Sequence, residues 1–233
     1  ELRRARAAGV PGSKITFSGV GKTDREIAYG LDEQIHCFNV ESEPELYRIS
    51  AIASAKGLTA KVSLRVNPDV DAKTHAKIST GKAENKFGVA IDLAPAIFDR
   101  LANLPGLSMK GVALHIGSQL SSLDPLEAAF TKAGALMRDI RGAGGKVTHM
   151  DLGGGVGVPY KAGEVFPQPA EYAAMIARVT ADWDVTLMFE PGRVITGNTG
   201  VLLTEVVRVK EGAGHPWVVV DAAMNDLVRP AMY

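Results

Sequence analysis

Short apolar runs of strand length alternate with longer amphipathic runs along most of this 233-residue chain. The strand-like runs cover residues 14–18, 35–40, 61–66, 109–116, 147–152 and 185–189. Helix-like runs cover 24–31, 43–56, 95–103, 125–141 and 171–180. Strand–helix alternation of this kind predicts a parallel sheet with helices as its crossover connections. Thr23 with Glu26, and Ser42 with Glu45, have capping-box spacing. Asp124 stands as a capping carboxylate ahead of Pro125. Gly57 and Gly142 follow helical runs where a left-handed cap is expected.

A closed (β/α)8 barrel takes eight strands in roughly 250 residues. Six strand–helix units end at Gly192 here, and the first helical stretch has no strand before it. The expected fold is therefore α/β: a TIM-type (β/α)8 barrel over residues 1–193, its first two units missing. Beyond it, 200–210 and 217–221 are β-rich with no long helical run between them. Residues 194–233 are expected to begin a separate β domain, itself incomplete.

Composition excludes several classes. Formal net charge is zero, so no basic field points to nucleic acid or a membrane surface. No apolar run approaches the ~20 residues of a membrane span. The start, Glu1-Leu2-Arg3-Arg4-Ala5-Arg6, reads as an amphipathic helix and not a signal peptide. Cys37 is the single cysteine; no internal disulfide is possible, and a reducing, cytoplasmic setting is expected. Within its apolar run Cys37 reads as a buried, inert thiol. No His/Cys/Asp cluster has metal-ligand spacing, and no P-loop is present. The polar stretch 68–85 exceeds an ordinary connection, which favours a functional loop.

In β/α barrels the active site lies at the C-terminal ends of the strands. That rule brings Asn67, His115, Ser118, the run Gly153-Gly154-Gly155, Glu190 and Arg193 to one face. The glycine run reads either as a tight strand-to-helix turn or as an anion cradle of unshielded amides. Glu190 ends an apolar strand between Phe189 and Pro191, which favours a buried, partnered carboxylate over a solvated one. Arg193 suits planar recognition of carboxylate or phosphate, or an ion pair with Glu190. His115 taken alone reads as a core histidine, and Ser118 as a cap or turn residue. His149 is read as structural.

Together these residues resemble the fold-type III pyridoxal phosphate decarboxylases, which pair an alanine-racemase-like barrel with a C-terminal β domain. The resemblance covers essentially the whole chain. It is carried by Phe17-Ser-Gly-Val-Gly-Lys22, Phe38-Asn-Val-Glu-Ser42, Arg65-Val-Asn-Pro68, His115-Ile-Gly-Ser118, the glycine run and Glu190-Pro-Gly-Arg193. Thr74-His75, Ile78-Ser-Thr-Gly81, Lys86-Phe-Gly88 and Arg229-Pro-Ala-Met-Tyr233 are similar to the diaminopimelate decarboxylase branch. Ornithine and arginine decarboxylases share the glycines and Glu190 but differ between Pro68 and Lys86.

The resemblance implies pyridoxal 5'-phosphate as cofactor. It implies His115 stacked on the pyridine ring, and Ser118 with the amides of Gly155 and Gly192 on the phosphate. Gly153 and Gly154 would shape the turn, and Glu190 would pair with the pyridinium nitrogen, making the ring an electron sink. Arg193, Arg229 and Tyr233 would bind substrate. Implied, too, are decarboxylation of meso-2,6-diaminopimelate to L-lysine and a homodimer with shared active sites. The family's Schiff-base lysine belongs to the first barrel strand, and its partner-donated cysteine lies beyond Tyr233. Neither is in this chain, which is therefore expected to be an inactive central fragment of an active parent. An ornithine- or arginine-type decarboxylase, a non-catalytic cofactor-binding barrel and a barrel enzyme acting on a phosphorylated substrate without a cofactor are the alternatives.

Overall fold

The structure, a computed structural model, describes residues 1–71, 86–101 and 103–228. The motif residues Thr74, His75, Ile78, Gly81, Arg229 and Tyr233 lie outside the described residues. Two compact units are present, Glu1–Ile195 and Thr196–Tyr233.

In the first unit the strands are β1 (Thr16–Phe17), β2 (Cys37–Val40), β3 (Ala60–Asn67), β4 (Val89–Ala90), β5 (Leu107–Ala113), β6 (His149–Asp151) and β7 (Thr186–Met188). The helices are α1 (Leu2–Ala7), α2 (Asp24–Asp32), α3 (Glu43–Ala55), α4 (Ala94–Leu101), α5 (Asp124–Gly142), α6 (Pro169–Val179) and the short α7 (Arg193–Thr196). Each sequence-predicted strand and helix is present, within a few residues at its ends. Among the described residues the strand β4 and the helix α7 were unforeseen; elements of two and four residues leave no periodic signal.

The strands pair in the order β1-β2-β3-β5-β6-β7, every pair parallel, with β4 alongside the end of β3. An order that never reverses is that of a barrel wall and not of a doubly wound sheet. Curvature is visible directly: Ser18, just after β1, and Glu190, just after β7, meet at 2.9 Å. The fold is α/β with a parallel, barrel-like sheet.

Period-two alternation separates the two faces of the sheet. Phe38, Val40, Val62, Leu64 and Val66 form the apolar row. They pack on helices whose buried residues recur at helical spacing, as Leu126, Ala129, Phe130, Ala133, Met137 and Ile140 do on α5. Gly134 of α5 leaves room for the Trp183 ring, since a Cβ there would lie 2.8 Å from it. The opposite row is polar yet buried: Asn39, Glu41, Ser63, Arg65, Asn67 and Asp151. Parallel strands covered on both faces are ordinarily apolar throughout; a buried polar row marks where such a fold departs from pure packing. Cys37 shares that row against Ser63 Oγ, and burial pushes its thiol up to about 11, which makes it unreactive at neutral pH.

Three local expectations need correcting. Thr23 and Glu26 do form a capping box, but Ser42 caps α3 without a side-chain bond. Glu45 instead accepts from the Glu41 N–H at 2.8 Å and from Lys22 Nζ at 2.8 Å; a buried ammonium outbids a capping amide. Asp124 is the first residue of α5 and Leu123 its cap, with Ser122 Oγ accepting from the Asp124 N–H. Gly142 is the last helical residue of α5, and the left-handed position falls on Gly144. Gly57, at φ +64, ends α3 as expected.

The second unit contains an antiparallel pair, β8 (Val206–Lys210) and β9 (Trp217–Val220). Asp221 anchors its base, accepting from Thr204 Oγ1 at 2.6 Å and from the Glu205 N–H at 2.9 Å.

Candidate active site

The polar row and the residues just past the strands converge at the C-terminal ends of the sheet. Glu190 sits two residues past β7. Its Oε1 accepts from Ser18 Oγ at 2.9 Å and from Asn39 Nδ2 at 3.3 Å. Asn39 Nδ2 also donates to Asp151 Oδ2 at 2.8 Å, so one amide spans two carboxylates. Glu190 as a residue remains solvent-accessible, but its carboxyl end turns inward. Burial of that end, then the charge of Asp151, push its pKa up to about 7.

Past β6 the chain makes the glycine turn. Gly153 and Gly155 have φ of +64 and +117, the region that strains any side chain. A Cβ on Gly153, Gly154 or Gly155 would lie 2.3, 2.2 or 2.4 Å from the carbonyls of Leu114, Glu190 and Gly117 respectively. The run is therefore glycine because three loops press on it. Its amides are not equivalent. The Gly153 N–H donates to Asp151 Oδ1 at 3.0 Å and the Gly154 N–H to His115 Nδ1 at 3.3 Å. The Gly155 N–H has no acceptor among the described residues. Leu120 N–H to Gly155 O and Gly157 N–H to Leu120 O knit this turn to the loop after β5.

His115 is deeply set. Burial, then the Arg65 charge, lower its pKa to about 4, so the imidazole is neutral at physiological pH. With Nδ1 accepting from Gly154, the ring hydrogen resides on Nε2. Arg193 opens α7; its Nε donates to Ser118 Oγ at 3.1 Å, and its Nη1 donates to Tyr160 OH. The guanidinium also lies 5.8 Å from the Tyr160 ring centroid. Ser118 accepts from Arg193, so its own O–H can donate elsewhere. A Cβ on Gly192 would meet nothing within 4 Å.

A paired-charge layer lies beside the site. Arg65 Nη1 contacts Glu41 Oε1 at 2.7 Å, and the N–H groups of Gly88 and Gly19 donate to the same carboxylate at 2.8 and 3.2 Å. Lys22, with only 1% of its side chain exposed, donates to Glu45 and to the carbonyls of Gly19 and Asn39. This layer holds the loop that carries Ser18.

Of the sequence-predicted site residues, the structure brings His115, Ser118, Gly153, Gly154, Gly155, Glu190, Gly192 and Arg193 to the same end of the sheet. Asn67 is buried at the end of β3, with its Oδ1 accepting from the Asp69 N–H. Arg229 and Tyr233 lie outside the described residues. Sequence reasoning missed Asn39, Asp151 and Tyr160. Asn39 stood within a quoted motif and Asp151 within the strand-like run 147–152, but their pairing spans 112 positions and no local pattern announces it. Among the described residues, no group of three His, Cys, Asp or Glu could hold a metal, and no helix is long and apolar enough to cross a membrane.

Comparison with known proteins places this arrangement. Residues 1–197 match the family described as pyridoxal-dependent decarboxylase, pyridoxal binding domain. The chain belongs to that family. Pyridoxal phosphate is accordingly its cofactor. Among relatives of this chain, the diaminopimelate decarboxylases of Zymomonas mobilis and Pseudomonas aeruginosa are 48% and 49% identical across all of its length. The chain spans 56% of the length of each. A diaminopimelate decarboxylase from Helicobacter pylori, solved in complex with L-lysine, superposes with a TM-score of 0.94 at 40% identity. That match covers 100% of this chain and 58% of the other.

Proposed function

We propose that this pyridoxal-dependent decarboxylase domain serves the conversion of meso-2,6-diaminopimelate to L-lysine and CO2. The observation that carries the reading is the Glu190 carboxylate, held beside Asp151 at the mouth of the sheet with its pKa raised. Two neighbouring acids gain from a cation placed against them, and a protonated ring nitrogen is such a cation. The cofactor fits the residues present. Glu190 would hold the ring nitrogen, and neutral His115 would face the ring. The Gly155 N–H, the Ser118 hydroxyl and the Gly192 amide would hold the phosphate, with Gly153 and Gly154 shaping the turn. When bound, pyridoxal phosphate supplies an electron sink for the charge left on the substrate carbon as CO2 departs.

The chain's own residues do the rest. Glu190 keeps a negative charge opposite the ring nitrogen. Arg193, braced by Ser118 and Tyr160, presents a fixed guanidinium suited to the distal carboxylate of diaminopimelate, with Arg229 and Tyr233 in the same task. Ornithine has no carboxylate there. Identity of 48% across the whole chain to proteins named for this activity supports the choice, as does the L-lysine in the Helicobacter pylori relative. The same reading includes a homodimer with shared active sites, a cytoplasmic setting, and a domain boundary near residue 193 with a β domain following.

The test is substrate turnover by the full-length protein supplied with pyridoxal phosphate. Release of CO2 from meso-diaminopimelate with formation of L-lysine is expected, at an efficiency far above that with ornithine or arginine. Equal turnover of ornithine would move the assignment to a sister enzyme, and cofactor binding without any decarboxylation would reduce the domain to a binding protein.

A further inference from the structure

Asn39 is 2% exposed and occupies the buried polar row directly behind Glu190. Its Nδ2 carries two hydrogens and has three acceptors in reach: Asp151 Oδ2 at 2.8 Å, Ser18 Oγ at 3.0 Å and Glu190 Oε1 at 3.3 Å. Its Oδ1 is buried with no hydrogen-bond partner among the described residues. Leaving a buried acceptor unsatisfied is unfavourable, and native structures rarely do so. Rotating the amide would not help, because Oδ1 would then face two carboxylates. The orientation is thus set by the acids. A residue that keeps an orphaned acceptor in order to present a donor is placed for that donor.

The surrounding charges give the donor its use. Glu190 faces Ser18 past β1, Asn39 of β2, Arg65 of β3 and Asp151 of β6. Of these, Asp151 is the one that repels it. Without a bridging donor two adjacent carboxylates separate or take up a proton. Both Ser18 and Asn39 donate to Oε1, so Glu190 is gripped by one oxygen.

We propose that Asn39 is a positioning residue for Glu190: its amide ties the Glu190 and Asp151 carboxylates together and keeps Glu190 aligned for the cofactor's ring nitrogen. The inference rests on the reading that Glu190 pairs with that nitrogen. It acts through Glu190 and makes no demand on the phosphate site or on Arg193.

The experiment compares two ligands on the full-length apoprotein by fluorescence titration. One is pyridoxal phosphate; the other is its analogue with the ring nitrogen replaced by C–H. Wild-type protein is expected to prefer the natural cofactor. N39A, and the shape-matched N39L that also removes the orphaned oxygen, are expected to cut that preference by about tenfold, the scale of one hydrogen bond to a charged group. Affinity for the C–H analogue should stay within about twofold, since the phosphate contacts are intact. Equal weakening of both ligands would mean a merely structural role and would overturn the proposal, as would an undiminished preference in N39L. If wild-type protein itself fails to discriminate, the pairing of Glu190 with the ring nitrogen falls first and the Asn39 inference falls with it.

Discussion

Glu41 and Glu190 stand just past the C-terminal ends of two strands of one sheet, β2 and β7, and their surroundings are opposite. Glu41 receives Arg65 at 2.7 Å and two backbone N–H groups, and is 5% exposed. Glu190 receives a hydroxyl and a shared amide, and confronts Asp151. The first carboxylate has its charge fully answered inside the protein. The second has its charge left partly unanswered, at the open end of the sheet. Both lie within two residues of a strand's C-terminal end, and their partner residues differ. The difference separates an acid that serves stability from the one we propose for the cofactor.

The contrast can be broken most severely at Glu41. E41A takes from Arg65 the carboxylate it contacts in a buried row, and removing one partner of such a pair costs about 3–5 kcal/mol. Denaturant unfolding of the full-length protein should show this as a lower midpoint. A loss under about 1 kcal/mol would show that solvent reaches Arg65 and that the pair resembles a surface one.

E190A should not lower the unfolding midpoint at neutral pH, since it removes a carboxylate held unfavourably beside Asp151, yet should reduce turnover about a hundredfold or more, the scale expected when a preorganised electrostatic partner is removed. Cofactor affinity should fall less, since the phosphate contacts remain. Undiminished turnover would take Glu190 out of the chemistry.

Acidity sharpens the comparison further. Glu190 is shifted from 4.5 up to about 7. The folded apoprotein therefore holds this proton more tightly than the unfolded chain, and that contribution to stability is lost as pH rises through about 4.5 to 7. His115 is shifted from 6.5 down to about 4. Its contribution is present above pH 6.5 and is lost as pH falls through that window. E190Q should thus gain on wild type in melting temperature between pH 5 and 7 and hold a constant margin above it. H115N should flatten the acid side instead. Parallel pH profiles for wild type and E190Q would show that Asp151 does not press on Glu190 as the geometry indicates.

The smallest effect is expected at Gly192. A methyl group there meets nothing within 4 Å, so G192A should change stability by no more than about 0.5 kcal/mol. G154A, whose Cβ would lie 2.2 Å from the Glu190 carbonyl, should be far more disruptive. Similar melting curves for the two would contradict the packing of the glycine turn.

Much of this was legible from residue order. Alternating strand and helix runs are local, and the end-of-strand rule carried His115, Ser118, the glycines, Glu190 and Arg193 to one rim without knowledge of contacts. What escaped was relational. Nothing near Asn39 reveals that it bridges Asp151 and Glu190, because those partners arrive from strands far along the chain. Ser42 and Glu45 had the spacing of a capping box, but spacing cannot show that Lys22 claims the glutamate. Gly142 looked like a helix stop until the helix ran one residue further and turned at Gly144. Patterns reveal elements; long-range competition for hydrogen bonds decides which local options are taken.

The strand order has a consequence for synthesis. Because each strand pairs with its predecessor in the sheet, every new unit finds a finished edge as the chain emerges from the ribosome, and folding can follow the direction of translation. Longer-range contacts are the exceptions: Asn39 meets Asp151 and Glu190, and the Ser18–Glu190 contact joins residues 172 positions apart. It can form only once β7 has been made and docked. The acid we propose for the cofactor's ring nitrogen thus joins its partners on β1 and β2 late, only after nearly all of the described strands have been made.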